Sequence, residues 1–502
     1  MQISTKTNTD HYHVVIVGMG PTGLVLANLL GLAKLRVLIL DRFLEPYDLP
    51  RAVHLDDEIM RIFQVIGVAN EMEKIFRPNL GMRFVDEKNN LLLDWPRPQE
   101  IGKNGWKPSY KFHQPDLEKI LYSRLKKQPS IEIKKGCEVI EALSDTNSVK
   151  LKALDIKTNK IFNIESDFVV GCDGARSFIR NHMGIELEDF GFVEDWLVVD
   201  VILKKERPDL GLFSIQFCGG DQPATYSPGT GRRLRWEFAL KEGTCNEEAL
   251  DPDYVWGLLG KWVNSDEADI ERRAIYTFRS TLANDWVQER FILAGDSAHL
   301  TPPFMGQGMC IGLRDTSNLA WKLISIIKGH STLSFLNSYQ IERRPHAKEY
   351  ILTAIKLGKM LGELRSETSR KKSEPIHMKS LAPKIGKAFK TEEADFVRNL
   401  SIQPRLSNGR YIDEFVGYNF CLYIDEDLAK ELCTDSIDIP IFKSSDDSSI
   451  KEYLENQSTK AILVRPDKYV FGSANTIEEL DNLLDFKFIR KLTDIIYYGK
   501  EI

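Results

Sequence analysis

Gly18, Gly20 and Gly23 stand at Gly-x-Gly-x-x-Gly spacing, after the apolar run Val14–Val17 and before a helical pattern that opens Leu24-Val-Leu-Ala27. A turn of this kind supports pyrophosphate binding. Gly18 can take the tight turn, Gly20 lets the backbone approach the phosphates, and Gly23 lets the helix pack on the strand. The helix start, Pro21-Thr22, then offers N–H groups and a partial positive charge to an anion. A second apolar run, Arg36-Val-Leu-Ile-Leu40, ends in Asp41-Arg42. That acid lies about 20 residues beyond the glycines, where a carboxylate can accept both hydroxyls of an adenosine ribose. An unrelated glycine-rich turn would lack this order of strand, fingerprint, helix, strand and acid.

NAD and FAD both fit that unit, and two further segments separate them. Asp167-Phe-Val-Val-Gly-Cys-Asp173-Gly174 reads as a buried strand ending in an Asp-Gly turn before a helix. Arg290-Phe-Ile-Leu-Ala-Gly295-Asp296 is another apolar strand ending in Gly-Asp, followed by Pro302-Pro303 and Gly306-Gln-Gly308-Met309. A long helical pattern then runs through Leu313, Leu319, Leu323 and Ile327. An Asp at a strand end can hold a ribityl hydroxyl. The glycine turn can bring N–H groups to the pyrimidine edge of an isoalloxazine, where a helix N-terminus stabilises the reduced ring. Each turn alone is common; in this order they point to FAD.

The chain resembles the class A flavoprotein aromatic hydroxylases, the family of p-hydroxybenzoate and phenol hydroxylases, and within it 3-(3-hydroxyphenyl)propionate hydroxylases. The resemblance is carried by Gly18–Gly23, Pro50-Arg51-Ala-Val-His-Leu-Asp56, Gln114-Pro-Asp-Leu-Glu118, Gly171-Cys-Asp173-Gly174, Ala294-Gly-Asp296 and Gly306-Gln-Gly308. It continues through Asn318–Lys322, Tyr339–Arg344 and Leu463–Tyr469, nearly the whole chain. It implies a Rossmann-like FAD-binding domain of the p-hydroxybenzoate hydroxylase type, an inserted antiparallel β substrate domain and a small C-terminal thioredoxin-like α/β domain. Arg51 would lie beside the flavin, Gln114 near its ribityl and phosphate part, and Asp173 and Asp296 would be the two flavin-side acids. Pro303, Gly306, Gly308 and Met309 would adjoin the ring. Two residues depart from the family. Cys310 stands where Asn commonly contacts the flavin, and a thiol is a poor substitute for an amide; backbone N–H groups are the alternative. Thr316 replaces the usual Ala, a change expected to alter packing rather than chemistry.

The expected division is 1–190 for the first part of the FAD domain, with a hairpin region 82–111 leaning to the substrate side, and 191–284 for the substrate sheet. The second part of the FAD domain follows at 285–365, a polar linker at 366–399, and the C-terminal unit at 400–502. In the sheet region Leu234, Trp236, Phe238 and Leu240 alternate with Arg233, Arg235 and Glu237, the period of a half-buried strand. The C-terminal unit has no CxxC, so packing or oligomer contacts, as in a homodimer, are its expected role.

With 502 residues, 67 Lys+Arg against 73 Asp+Glu and 42% hydrophobic residues, the composition is that of a globular, slightly acidic chain. The balance argues against nucleic-acid binding. Seven scattered cysteines give neither a disulfide framework nor a metal site. The apolar stretch Val14–Ala33 is broken by glycines and a proline, so it reads as strand–turn–helix and not as a membrane span. A cytoplasmic location is expected.

By the resemblance, NADH or NADPH reduces FAD, O2 then gives a flavin C4a-hydroperoxide, and an oxygen atom passes to a phenol. A 3-hydroxyphenylpropionate-like acid is the expected substrate, and a larger aromatic or polyketide the alternative. The absence of a second Gly-x-Gly-x-x-Gly means that the nicotinamide visits without a domain of its own. His54, His113 and Tyr226 are the candidates for deprotonating the phenol. Arg83, Arg233 and Arg235 are possible partners for a substrate carboxylate. A disulfide reductase would need a redox CxxC, and a flavin halogenase a Trp-x-Trp-x-x-Pro motif; neither is present. A non-catalytic flavin-binding role is the remaining rival.

Overall fold

The first sheet is ordered by the strand that precedes the glycine turn. A computed structural model describes residues 11–45, 49–219, 222–241, 243–364, 382–390, 394–432, 438–486 and 489. In it His11–Val17 pairs in parallel with Val37–Asp41 on one side and Lys160–Gly171 on the other. Ile131–Lys135 and Phe291–Leu293 extend the parallel array outward. Val14, Val15 and Ile16 have no exposed surface, which explains why this strand reads as a continuous apolar run. The consequence for function is geometric. Gly18, Asp41, Cys172-Asp173 and Ala294-Gly295 all follow the C-terminal ends of parallel strands, the edge at which such sheets bind ligands.

The second sheet has eight strands and is mostly antiparallel, built around Leu187–Leu203 between Ala268–Ala283 and Arg233–Ala239. Its strands start before residue 191, and the hairpin Gly81–Val85/Leu91–Pro96 joins it by a parallel pairing with Ser214–Phe217. Alternation decides its two faces. Leu234, Trp236 and Phe238 are buried with Val255, Leu259 and Val263 of the covering segment. Arg235 and Asp200 lie on the opposite face, which meets the first unit.

From about residue 400 a four-stranded sheet follows in the order Ile441–Lys443, Cys421–Ile424, Ala461–Val464, Val470–Ala474. It shares its core with the first unit: Phe420, Leu463 and Phe471 belong to the same apolar cluster as Val15 and Leu319. Buried ions lock the seam. Arg465 binds Glu342 at 2.7 and 2.9 Å, and Lys322 reaches the same carboxylate at 2.7 Å. Arg61 pairs with Asp413 at 2.8 Å. Among the described residues no helix is long and apolar enough to cross a membrane.

Burial alone would raise the Glu342 pKa, but the Arg465 and Lys322 charges outweigh it and hold it at about 2. A depressed carboxylate stabilises the fold above its ordinary value, near 4.5, and that stability is lost as pH falls towards 2. Arg465→Met should cost about 3–5 kcal/mol, because it leaves Asp467, which Arg465 binds at 2.9 Å, buried without its cation and Glu342 with Lys322 alone. Urea unfolding at pH 7 measures this loss. The variant should also lose less additional stability than the parent when the titration is repeated near pH 4.

Candidate active site

The glycine turn is shaped by close approach. Gly18 has φ +104°, and a Cβ there would lie 2.3 Å from the Cys172 carbonyl oxygen; at Gly23 it would lie 2.0 Å from that of Gly18. Only glycine fits either place. Gly20 differs: its φ of −73° suits any residue, and a Cβ would meet nothing within 4 Å. It opens the helix Pro21–Leu32, which has no side-chain cap and no acid in its first turn. That helix end is therefore open to an external anion. Asp41 braces the turn, one carboxylate oxygen accepting from the Met19 N–H at 2.7 Å and the other from Phe43 N–H at 2.8 Å. Arg42 is exposed, its guanidinium over the Phe43 ring. Thr22 fills a gap between two glycines: a Cβ on Gly295 or Gly312 would come within 2.7 or 2.8 Å of its hydroxyl oxygen. The fingerprint helix, the Gly295 turn and the helix Gly308–Ile327 thus converge on Thr22. Gly312 gave no sign in the sequence, because a lone glycine inside a helical pattern has no motif.

Asp173 turns back to its own chain, accepting from the Ser177 hydroxyl at 2.6 Å and the Ile179 N–H at 3.1 Å. Asp296 is exposed to solvent, yet burial pushes its carboxyl pKa up. The two facts together place it on the wall of an internal cleft. Its backbone is held from behind: Asp315 accepts from the Gly295 N–H at 3.1 Å, from His299 at 2.6 Å and from Arg343 at 3.0 Å. His299 is therefore a buried core residue.

The turn Pro303–Met305 ends at Gly306, φ +61°, and Gly308 opens the long helix, with Met309 in its first turn. Gln307 is clamped, donating to Asp56 at 3.1 Å and accepting from Arg314 at 3.0 Å. Arg314 also binds Asp56 at 2.6 Å and Glu58 at 2.5 Å. Burial opposes ionisation of Asp56, but the Arg314 charge outweighs it and lowers its pKa. The Cys310 thiol is buried and points to the His54 carbonyl at 3.8 Å, so any contact of this turn with a flavin falls to its backbone. Thr316 bonds its own helix, to the Leu313 carbonyl at 2.8 Å.

Gln114 accepts from the Ala52 N–H at 2.7 Å and donates to Glu118 at 2.7 Å, fixing the loop that carries Arg51. Arg51 itself is exposed, and the second sheet holds its backbone. Arg235 binds Asp200 at 2.7 Å and donates to the Arg51 and Pro50 carbonyls at 2.7 and 2.8 Å. Arg233 pairs with Glu271 at 3.0 Å, and Arg83 with Asp94 at 3.4 Å. All three arginines considered for a substrate carboxylate are thus engaged with acids.

His54 Nδ1 contacts the Gly306 carbonyl at 3.2 Å and Nε2 the Ser109 hydroxyl at 2.7 Å. The Gly306 carbonyl can only accept, so in the neutral ring the proton sits on Nδ1 and Nε2 accepts from the Ser109 hydroxyl, which itself accepts from Asn79 at 2.9 Å. Burial, then the Lys111 charge, drive the His54 pKa down to about 4. The imidazole is therefore neutral at pH 7 with both nitrogens engaged, and it holds the Gly306 turn. His113 pairs with Asp116 at 2.9 Å, beside Gln114. Tyr226 lies in the core of the second sheet against Trp236, donating to the Gly211 carbonyl at 3.1 Å, and burial raises its pKa to about 12. The structure brings His54 to the Gly306 turn and leaves Tyr226 in packing.

Residues 11–354 match the sequence family described as FAD binding domain, and the chain belongs to that family of flavoproteins. It is 39% identical over 350 residues to a probable NADH-specific resorcinol 4-hydroxylase of Rhodococcus jostii (strain RHA1), covering 69% of this chain and 65% of that one. It is 35% identical over 391 residues to a 3-(3-hydroxy-phenyl)propionate/3-hydroxycinnamic acid hydroxylase of Mycolicibacterium gilvum (strain PYR-GCK), covering 76% and 65%. The chain thus spans about two thirds of the length of each, or 65%. Its structure superposes on that of the flavin-dependent monooxygenase PieE with a TM-score of 0.80 at 17% identity, covering 97% and 100% of the two chains. For aklavinone-11 hydroxylase the TM-score is 0.79 at 18% identity, covering 96% and 99%. At such identities the likeness is one of fold, the α/β p-hydroxybenzoate-hydroxylase-like fold.

The residues present fit FAD. The open space at Gly20 would admit a pyrophosphate, Asp41 would then lie at the adenosine side, and Asp296 and the Gly306–Gly308 turn would hold the ring. Gly20→Ala should melt at the temperature of the parent in the apo form, since its Cβ meets no protein atom. Its FAD affinity, measured by quenching of flavin fluorescence, should fall by about tenfold or more, because backbone approach to the phosphates is blocked.

Proposed function

We propose that the chain is an FAD-dependent aromatic hydroxylase that uses NADH or NADPH and O2 on a small phenol bearing a meta substituent. The observation that carries this reading is the meeting of the Gly306 turn with an apolar wall of the second sheet. Phe304 and Met305, just before Gly306, pack with Phe84, Leu93, Trp95 and Leu357, and Phe192 stands edge-on to Phe304 at 5.5 Å. Such packing keeps water from that side of the turn, and the half-buried Phe304 and Met305 offer apolar surface to an aromatic ring. Bound FAD supplies the electron storage and oxygen chemistry that no side chain has. The protein's own part is positioning: the Arg314–Gln307 clamp and His54 fix the turn, and Arg235 fixes the Arg51 loop.

Resorcinol and 3-(3-hydroxyphenyl)propionate, named for the two relatives, share a phenol with a meta substituent, and this common part is the substrate class we infer. The name of the first relative supports NADH as reductant, and a cytoplasmic setting goes with that requirement.

The test is turnover of the FAD-loaded protein with NADH or NADPH and each phenol, following nicotinamide oxidation and product mass. The reading expects a product heavier by one oxygen atom, formed in step with NADH consumed. NADH oxidation that is equally slow with and without every phenol tried would overturn it.

A further inference from the structure

A three-stranded sheet between the two larger ones places three basic side chains in a row. Ser109–Lys111 is its middle strand, and Lys111 is paired with His54 on one side and Arg77 on the other. Residues directly opposed across an antiparallel pair project from the same face with Cβ atoms about 5 Å apart, where like charges destabilise the sheet. The row also links the flavin-side turn to the substrate sheet. His54 meets the Gly306 carbonyl of the flavin-side turn. Lys111 donates to the Ser227 hydroxyl at 2.7 Å, and Arg77 to the Pro228 carbonyl at 2.8 Å, both on the substrate sheet.

Lys111 is 6% exposed, its ammonium meets only a hydroxyl, and no carboxylate among the described residues forms an ion pair with it. A buried ammonium without an acid is costly, and a local cost of this kind marks a position kept for a ligand. The groups that face it are His54, Arg77, Arg97 and Arg235 on the basic side and Glu237 on the acidic side. Arg235 is committed to Asp200, and the nearest contact of Glu237 with it is 3.8 Å. Burial and then the Arg77 charge bring the Lys111 pKa down to about 7. Arg77, at the end of the row, and neighbouring Glu237 are only half-buried, so the row is not sealed from solvent.

We propose that Lys111 and Arg77 form a binding site for an anionic oxygen of the aromatic substrate, a phenolate or a carboxylate, with the Ser227 hydroxyl completing it. The proposal rests on the hydroxylase reading above. For a phenol, the O–H bond breaks as its proton passes to the neutral Lys111 amine, leaving a phenolate beside an ammonium. The ionised ring is then the more nucleophilic one. For a carboxylate no proton moves.

Binding to the FAD-loaded protein tests this, read from perturbation of the flavin absorbance. The probes are resorcinol, which has only phenol oxygens, and 3-phenylpropionate, which has only a carboxylate. Lys111→Met should weaken one of them by about tenfold or more; Lys111→Arg should restore a carboxylate to within about threefold but not a phenol, since a guanidinium cannot take the proton. The ligand affected identifies the anion. For a carboxylate, wild-type affinity should fall as pH rises from 6 to 9 and the ammonium loses its proton, and the fall should be smaller in Lys111→Arg. Wild-type binding of both probes by an FAD-loaded Lys111→Met protein overturns the proposal and leaves the hydroxylase reading standing. If the wild type binds neither probe, the reading fails and the proposal with it. If Lys111→Met does not hold FAD, Arg77→Met decides by the same criteria.

Discussion

The Arg314 guanidinium is the point on which the flavin-side turn and the elements packed around it depend. It is buried against Asp56 and Glu58, holds Gln307 of the flavin-side turn, and lies over the Tyr350 ring at 5.2 Å. Asp56 closes the strand His54–Asp56, whose histidine holds the Gly306 carbonyl. Glu58 in turn accepts from the Tyr469 hydroxyl of the C-terminal unit at 2.9 Å. One cation therefore connects the turn, the small three-stranded sheet and the C-terminal sheet. Such a set is costly to desolvate and costly to break, so its value lies in fixing one arrangement of the turn. It also gives the C-terminal unit a structural part in the site without any redox group of its own.

Close backbone packing does the corresponding work at the phosphate end. The Gly18–Cys172 and Gly23–Gly18 approaches set how the fingerprint helix leaves its strand, and Thr22 against Gly295 and Gly312 ties that helix to the flavin end. The Arg343–Asp315 pair holds the Gly295 N–H from the rear. These contacts set the separation of Gly20 and Gly306 that a dinucleotide would have to span.

The fold class was legible because each major strand carries a local signature. Val14–Val17 is apolar on both faces, Leu234–Phe238 alternates, and Gly18 and Gly23 sit where only glycine fits. The start of the second sheet was less legible, since the long strand Leu187–Leu203 runs through the texture change near residue 191, whereas the hairpin from Gly81 joins that sheet, as its expected lean to the substrate side suggested. Side-chain roles set by distant partners left no local pattern. Arg235 reads as a surface or ligand cation, yet its partners Pro50 and Arg51 lie more than 180 residues away. The Arg314–Asp56 pair spans 258 residues. Lys111 is a single lysine in the sequence, and only pairing of its strand reveals the basic row. Cys310 was legible as a departure, and its burial against the His54 carbonyl shows where the thiol goes.

The central claim is that the cleft from Gly20 to the Gly306–Gly308 turn is a single FAD site facing the second sheet. An experimental structure of the chain with FAD tests it most directly. The account predicts the pyrophosphate at the Gly20 helix end and the isoalloxazine against the Gly306–Gly308 backbone, with one face open to the Phe304–Trp95 wall. A ring bound away from that turn, with the wall unchanged, would contradict it.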